Sequence, residues 1–105
     1  MASILLIDDE SSIRRTLKEI LTFEKYEVIE ACDGIEALET VSKRKFDVIL
    51  LDIKMPRMDG IEAFEKINEL APDTPVIMIS GHANIDTAVD AVRQGAFALR
   101  STAPA

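Results

Sequence analysis

Acidic side chains follow two apolar segments of this 105-residue chain. Asp8 and Asp9 come directly after the apolar run at residues 3–7, and Asp52 comes directly after the run at 46–51. If these runs are neighbouring parallel strands, their carboxyl ends meet at one edge of a sheet and the carboxylates converge there. Crowded carboxylates raise one another's pKa, and a hard divalent cation relieves their repulsion. The spacing therefore predicts a Mg²⁺ site.

Each of these residues also has an ordinary structural explanation. A single aspartate at a strand end usually caps a helix or a turn, and Asp9 could cap the first helix. Asp52 is harder to explain in this way, because Ile53 follows it and no helix begins there. Ser80 follows the fourth apolar run, where its hydroxyl could donate to a phosphoryl oxygen, but a plain Ser-Gly turn explains it equally well.

The apolar pattern predicts the elements that must position these side chains. Short apolar runs at 3–7, 26–31, 46–51 and 74–79 indicate buried strands, and amphipathic helices separate them. Asp33, with Glu36 three residues later, predicts a capping pair at the start of the second helix. The last helix should end at Gln94 with Gly95 as its C-cap, and 96–100 could be a short strand. This alternation predicts a parallel α/β sheet in one domain.

Composition excludes several classes of function. The formal net charge is −7, and a nucleic-acid-binding face needs a basic patch, so we expect no direct nucleic-acid contact. No apolar run approaches the ~20 residues that span a bilayer, and no leader segment is apparent, so we expect a cytoplasmic domain without a membrane partner. The single cysteine, Cys32, cannot form an internal disulfide and is expected to be buried.

Three motifs together resemble a known family. They are the Asp8-Asp9-Glu10 triplet after an apolar strand, the segment Asp52-x-x-Met55-Pro56-x-Met58-Asp59-Gly60, and Ser80-Gly81-His82-Ala83. The chain is similar to receiver domains of bacterial two-component response regulators from about Ser3 to Phe97, and its later part resembles receivers of the NtrC type. The resemblance implies a flavodoxin-like (CheY-like) doubly wound parallel sheet of order 2-1-3-4-(5).

The resemblance also implies a role for each residue that matches the motifs. Asp52 would accept a phosphoryl group from a sensor histidine kinase, and Ser80 would be the switch hydroxyl. Asp9 and Asp52 would bind Mg²⁺ directly, Asp8 through water, and Lys54 through its backbone carbonyl. The domain would catalyse its own phosphorylation without being a conventional turnover enzyme. Receivers of this type precede an output ATPase domain and a DNA-binding domain, neither of which is in this chain.

The C-terminal part departs from the family pattern. Aligned on residues 95–97, the family's active-site lysine falls at Thr102, and the proline that follows it falls at Ala103. We therefore expect a weak fifth strand, no fifth helix, an incomplete receiver domain at 1–100 and a disordered or unrelated tail at 101–105. Without the lysine, phosphorylation should be impaired. Uncovered apolar surface near the first helix and an open edge at the fourth strand should favour a homo-oligomer.

Two other functions compete with the signalling switch. The first is a receiver-derived fragment, truncated and impaired in phosphorylation, that forms a segment-exchanged or edge-paired oligomer. The second is a hydrolase with an aspartyl-phosphate intermediate, similar to haloacid-dehalogenase-like phosphatases. Those enzymes carry a second aspartate two residues after the nucleophile, whereas Lys54 stands at that position after Asp52. The hydrolase therefore has little support.

Overall fold

The computed structural model describes residues 1–52, 60–79 and 85–102. Strands and helices alternate along the whole described chain. The elements in order are β1 (Ser3–Ile7), α1 (Ser11–Phe23), β2 (Glu27–Ala31), α2 (Gly34–Lys43), β3 (Val48–Asp52), α3 (Gly60–Leu70), β4 (Val76–Ile79) and α4 (Ile85–Thr102). Within these ranges, none of the helices combines the length and the apolar character that crossing a bilayer requires.

The described strands form one parallel sheet of order β2-β1-β3-β4. This confirms the doubly wound architecture and the predicted order of the first four strands. β1 and β3 lie at the centre, and both are almost entirely apolar because each of their faces is covered. The register pairs Ile7 with Leu51, so Asp8, which follows Ile7, and Asp52, which follows Leu51, lie at the same level of the sheet.

Two apolar cores lie on opposite faces of this sheet. Alternate residues of β1 and β3 enter opposite cores, because successive side chains of a strand point to opposite sides. The core on one face contains Leu5, Ile7, Ile49 and Leu51 with residues of α2 and α3. The core on the other face contains Ile4, Leu6, Val48 and Leu50 with Leu17 and Leu21 of α1 and Ala88, Val89 and Val92 of α4.

The last helix is longer than the sequence predicts. The prediction that the helix ends at Gln94, that Gly95 is its C-cap and that 96–100 form a weak fifth strand was wrong, because α4 continues to Thr102. No described glycine has the positive φ of a helix C-cap. Alanine, leucine and arginine after Gly95 are strong helix formers, which offset the cost of about 1 kcal/mol for one glycine. Helix α4 also includes Ser101 and Thr102, which we expected in the tail.

Helix α4 covers the surface that was expected to be exposed. Leu17 and Leu21 on α1 are 1% and 0% exposed, and Val92 on α4 is 0% exposed in the same core. The expectation of an uncovered apolar surface beside the first helix was therefore wrong for Leu17 and Leu21, although Phe23 at the end of α1 is exposed. The physical reason is that Ala88, Val89 and Val92 of α4, the helix that follows β4, pack in the same core as these two leucines.

An ion pair joins the middle of α4 to the C-terminal end of α1. Arg93 of α4 donates from Nε to Oε1 of Glu24, at 2.7 Å, and from a second guanidinium nitrogen to the other carboxylate oxygen. Glu24 is the C-cap residue of α1, so this part of α4 lies at the end of α1 that is distant from Asp8 and Asp9. The hydrogen bonds from Arg93 hold the pKa of the Glu24 carboxyl below its usual value.

We predict that Glu24→Gln lowers the midpoint of urea unfolding slightly at pH 7, because a partly exposed ion pair contributes little. A carboxyl with a lowered pKa stabilises the folded state above its unfolded pKa and loses this effect as pH falls through the folded pKa. The difference from the unmodified chain should therefore shrink as pH falls below the usual pKa of a glutamate and disappear once Glu24 is protonated in the folded state. Glu19→Gln, an exposed change on the same helix, is the control. Equal midpoints at pH 7 for the unmodified chain and Glu24→Gln would contradict this account.

Candidate metal and phosphoacceptor site

Asp8 lies at the carboxyl end of β1 and is only 3% exposed. Its backbone N–H donates to the carbonyl of Ala31 at 3.2 Å, which continues the β1–β2 pairing by one residue. Its Oδ1 accepts a hydrogen bond of 2.9 Å from the backbone N–H of Glu10. Asp8 is therefore part of the sheet edge, and the hydrogen bond to its carboxylate stabilises the turn between β1 and α1.

Helix α1 begins without a side-chain cap. Its N-cap residue is Glu10, which makes no side-chain capping hydrogen bond, and Ser11 is the first helical residue. The alternative that Asp9 caps this helix is thus wrong, so capping does not account for its position. By contrast, the predicted capping pair at the second helix is confirmed. Asp33 Oδ1 accepts from the Glu36 N–H at 2.8 Å.

Asp52 is the last residue of β3 and is 2% exposed. Because β1 and β3 are neighbours with Ile7 paired to Leu51, Asp8 and Asp52 stand side by side at the carboxyl edge of the sheet. A buried carboxylate at the end of an apolar strand is costly unless polar groups or a cation compensate for its charge. Asp52 is therefore a candidate for a functional group.

Exposed Asp9 completes the cluster. One carboxylate oxygen each from Asp8, Asp9 and Asp52 lies within 4.8 Å of the other two. The convergence that the sequence predicts for these three residues is thus confirmed. We call this cluster the acid site, and the edge of the sheet where it lies the acid edge.

Burial and the crowding of like charges disfavour the ionised form of Asp8 in the acid site. Burial, together with the charges of Asp52 and Asp9, raises the pKa of Asp8 from 3.8 to about 6, although the hydrogen bond from the Glu10 N–H acts in the opposite direction. A carboxylate that is disfavoured by burial and by like charges gains from a nearby positive charge.

The three residues fit a small hard cation. Oxygens bound to Mg²⁺ at ~2.1 Å are about 3 to 4 Å apart, so a spread within 4.8 Å needs only a small closure. Two of the carboxylates are buried and one is exposed, which leaves the outer side of the site open to water. Mg²⁺ commonly keeps several waters and binds few carboxylates, so this arrangement suits it.

Two predicted site residues, Lys54 and Ser80, lie outside the described residues, as do Met55, Pro56 and His82. Cys32 is described, and the expectation that it is buried was wrong. It is exposed, and its Sγ lies 3.7 Å from Glu36 Oε2. Partial desolvation of the thiol by neighbouring atoms, followed by the charges of Glu36 and Asp33, raises the pKa of Cys32, which disfavours the reactive thiolate.

Sequence reasoning missed one residue beside the acid site. Arg14 donates from Nη1 to the backbone carbonyl of Asp8 at 2.7 Å and from Nε to Oε1 of Glu30 at 3.3 Å. In the sequence, Arg14 is one of several polar residues between the apolar positions of a helix. Its spacing alone gives no indication of this role, because Glu30 belongs to a different element.

Comparison with known proteins assigns the chain to one family. The family model for the response regulator receiver domain matches residues 4–99. The transcriptional regulatory protein GlrR of Escherichia coli is 37% identical over 98 residues, which are 93% of this chain and 22% of that protein. ZraR of Klebsiella oxytoca is 40% identical over 94 residues, 90% of this chain and 21% of that protein. The chain thus spans about a fifth of these relatives.

Solved structures agree with this assignment. The two-component transcriptional regulator AraC of Clostridium phytofermentans superposes with a TM-score of 0.84 and 29% identity, over 96% of both chains. The response regulator TrrA of Thermotoga maritima, solved in complex with Mg²⁺-BeF, gives a TM-score of 0.81 and 30% identity, over 90% of this chain and 99% of that one. With nearly all of its length matched by the family model, the chain belongs to the response regulator receiver domains.

Proposed function

We propose that this receiver domain accepts a phosphoryl group on Asp52 from a sensor histidine kinase. The observation that carries the proposal is the position of Asp52, buried at the end of β3 with Asp8 and Asp9 converging on it. A buried carboxylate that opens onto an acid site has the position required of an in-line nucleophile. The Mg²⁺-BeF complex of TrrA, a relative at 30% identity, supports the same chemistry.

In the proposed reaction, a carboxylate oxygen of Asp52 attacks the phosphorus of a phosphohistidine. A new O–P bond forms as the P–N bond breaks, and the electron pair of that bond returns to the imidazole nitrogen. Because the other ring nitrogen of the phosphohistidine carries a proton, the products are an acyl phosphate on Asp52 and a neutral histidine on the kinase. The protein mainly positions the reacting groups, so the domain acts as a phosphoacceptor rather than as an enzyme with many turnovers.

Asp9 and Asp52 would hold Mg²⁺ directly, Asp8 would hold it through water, and the backbone carbonyl of Lys54 would complete the protein ligands. When bound, the cation supplies positive charge that offsets the charge of the transferring phosphoryl group. Asp8, with its raised pKa, orients the turn through its hydrogen bond from the Glu10 N–H. The hydroxyl of Ser80 would donate to the phosphoryl group and report its presence to α4.

The partners follow from the relatives. GlrR and ZraR are transcriptional regulators about five times as long as the matched segment, so we propose that this domain controls an output ATPase and a DNA-binding domain in its parent protein, in the cytoplasm. Within the described residues, β4 pairs only with β3 and exposes Met78. Because α4 covers the α1 face, self-association would use this edge of the sheet.

The test is intact-mass spectrometry after incubation with Mg²⁺ and a small phosphoryl donor. We expect a gain of one phosphoryl group that requires Mg²⁺ and is abolished by Asp52→Asn. The matched control is Asp73→Asn, because Asp73 is exposed and lies before β4, at the opposite edge of the sheet. Asp73→Asn should be phosphorylated like the unmodified chain. Phosphorylation that persists in Asp52→Asn would show that another residue is the acceptor.

A further inference from the structure

The turn that carries Asp8 and Asp9 is held from outside the acid site. Arg14 lies in the first turns of α1, and its side chain is 16% exposed. It connects the carbonyl of Asp8 on one side, at 2.7 Å, with the carboxylate of Glu30 on β2 on the other, at 3.3 Å. The guanidinium therefore joins three elements: the turn, α1 and β2.

These contacts fix the backbone of Asp8 on both sides. Its N–H donates to Ala31, the residue after Glu30, and its carbonyl accepts from Arg14, which is itself held by Glu30. The end of β2 thus determines where the backbone of Asp8 lies. The direction in which the Asp8 and Asp9 side chains leave the sheet depends on that backbone. Groups that orient metal ligands in this way commonly change metal affinity by about 10–100-fold when removed.

We propose that Arg14, held by Glu30, is a positioning residue that presets the Asp8–Asp9 turn for cation binding. This inference rests on the proposed function, since it concerns the same acid site. Arg14 is a cation close to a site for Mg²⁺, so its charge alone repels the metal. The contacts of Arg14 therefore favour Mg²⁺ binding, whereas its positive charge disfavours it. We call the contacts of Arg14 with the Asp8 carbonyl and the Glu30 carboxylate the brace. Losing the brace weakens Mg²⁺ binding, whereas losing only a positive charge strengthens it.

The structure offers a matched control in Lys18. Lys18 lies one turn further along α1 and pairs with the other carboxylate oxygen of Glu30, Oε2, at 3.5 Å. Arg14→Met and Lys18→Met remove the same charge and each removes one partner of Glu30. Of the two side chains, Arg14 is the one that contacts the Asp8 carbonyl. A difference between the two variants therefore reports the brace and not the charge.

The first readout is the dissociation constant of Mg²⁺, measured by calorimetry at pH 7.5 on the full chain. We expect Arg14→Met to weaken binding by about 10-fold or more, and Lys18→Met to leave it unchanged or to strengthen it. The double variant Arg14→Met/Glu30→Gln restores the local net charge and should still bind weakly. Arg14→Lys should not restore affinity, because one ammonium group cannot reproduce both contacts of the planar guanidinium. Tighter binding in Arg14→Met, or full recovery in Arg14→Lys, would overturn the proposal.

The second readout is the rate of amide hydrogen exchange in metal-free protein. The Glu10 N–H is protected by Asp8 Oδ1, so it reports the order of the turn directly. We expect exchange at Glu10 to be about 10-fold faster in Arg14→Met than in Lys18→Met, with equal exchange at the buried amide of Leu50. Unchanged exchange at Glu10 would overturn the brace even if Mg²⁺ binding changed.

These readouts separate the brace from the proposed function. If the unmodified chain binds Mg²⁺ but is not phosphorylated, the proposed function fails, and the affinities still decide the role of Arg14. If the unmodified chain does not bind Mg²⁺, the proposed cofactor and the effect of Arg14 on affinity are both refuted. Urea unfolding of each variant identifies a general loss of folding, which would lower protection at Leu50 as well as at Glu10.

Discussion

Replacing Asp8 by asparagine is expected to stabilise the metal-free domain at pH 7.5. Burial and the charges of Asp52 and Asp9 raise the pKa of Asp8 from 3.8 to about 6, so folding at neutral pH confines a charge that the unfolded chain leaves in water. One pKa unit corresponds to about 1.4 kcal/mol, which sets an upper limit of ~3 kcal/mol. Water at the open acid edge screens part of this effect, so we expect a gain of ~1–2 kcal/mol.

The stability gained by Asp8→Asn increases as pH rises. Because the folded pKa of Asp8 is higher than the unfolded one, the folded state binds more protons between pH 3.8 and about 6. The contribution of Asp8 to the free energy of unfolding is therefore fully present below the unfolded pKa, and it is lost as pH rises through the folded pKa. The advantage of Asp8→Asn should be complete above about pH 6 and absent below pH 3.8.

Urea unfolding at several pH values measures this difference, with Asp73→Asn as the control for a lost surface charge. Asparagine keeps an oxygen that can accept from the Glu10 N–H, so the turn should remain formed. The same variant should bind Mg²⁺ more weakly, because a negative charge has left the site. A variant that is less stable than the unmodified chain at pH 7.5 would show that the charge of Asp8 is compensated within the fold.

The second large effect concerns the rate of phosphorylation. The sequence contains no lysine after Lys66, and the alignment on residues 95–97 predicts that Thr102 takes the place of the family's lysine, which would pair with the phosphoryl group. Removing one preorganised donor that stabilises developing charge commonly costs ~10²–10³ in rate. We therefore expect Asp52 to be phosphorylated ~10²–10³ times more slowly than a receiver domain that carries the lysine, as measured by intact mass over time.

Thr102→Lys is not expected to restore this rate. Helix α4 runs from Ile85 to Thr102, and Arg93 in its middle already contacts Glu24 at the end of α1 far from the acid edge. Thr102 follows Arg93 by nine residues, or about 13 Å further along the helix axis at 1.5 Å per residue. A lysine there cannot reach Asp52. An accelerated rate in Thr102→Lys, with unchanged stability, would show that the last helix can rearrange into a different element.

Much of the acid site could be predicted from the sequence because its causes are local. Apolar runs that end at an aspartate place Asp8 and Asp52 at strand ends, and the alternation with amphipathic helices makes the strands parallel. Parallel strands share one carboxyl edge, so convergence follows from topology alone. The capping pair of Asp33 and Glu36 is equally local, since both residues belong to one helix start.

Features that depend on distant partners were missed. The helix propensity of the residues around Gly95 fits both a C-cap and a helix interior. The contact between α4 and the end of α1 joins Arg93 to Glu24, which is 69 positions earlier. The brace at the acid site joins Arg14 to Glu30 on another element. Cys32 was expected in the core because of its type, but its place after β2 exposes it.

The sequence by itself determined the order of strands and helices, the apolar strands and the three acidic residues that meet at their ends. The tertiary structure alone decided that α4 covers the α1 face, that its helix continues past Gly95, and that Arg14 holds the turn of the acid site. The physical reason is the range of the interactions. Hydrophobic periodicity and turn chemistry act within a few residues, whereas packing and ion pairs depend on which surfaces the folded chain brings together.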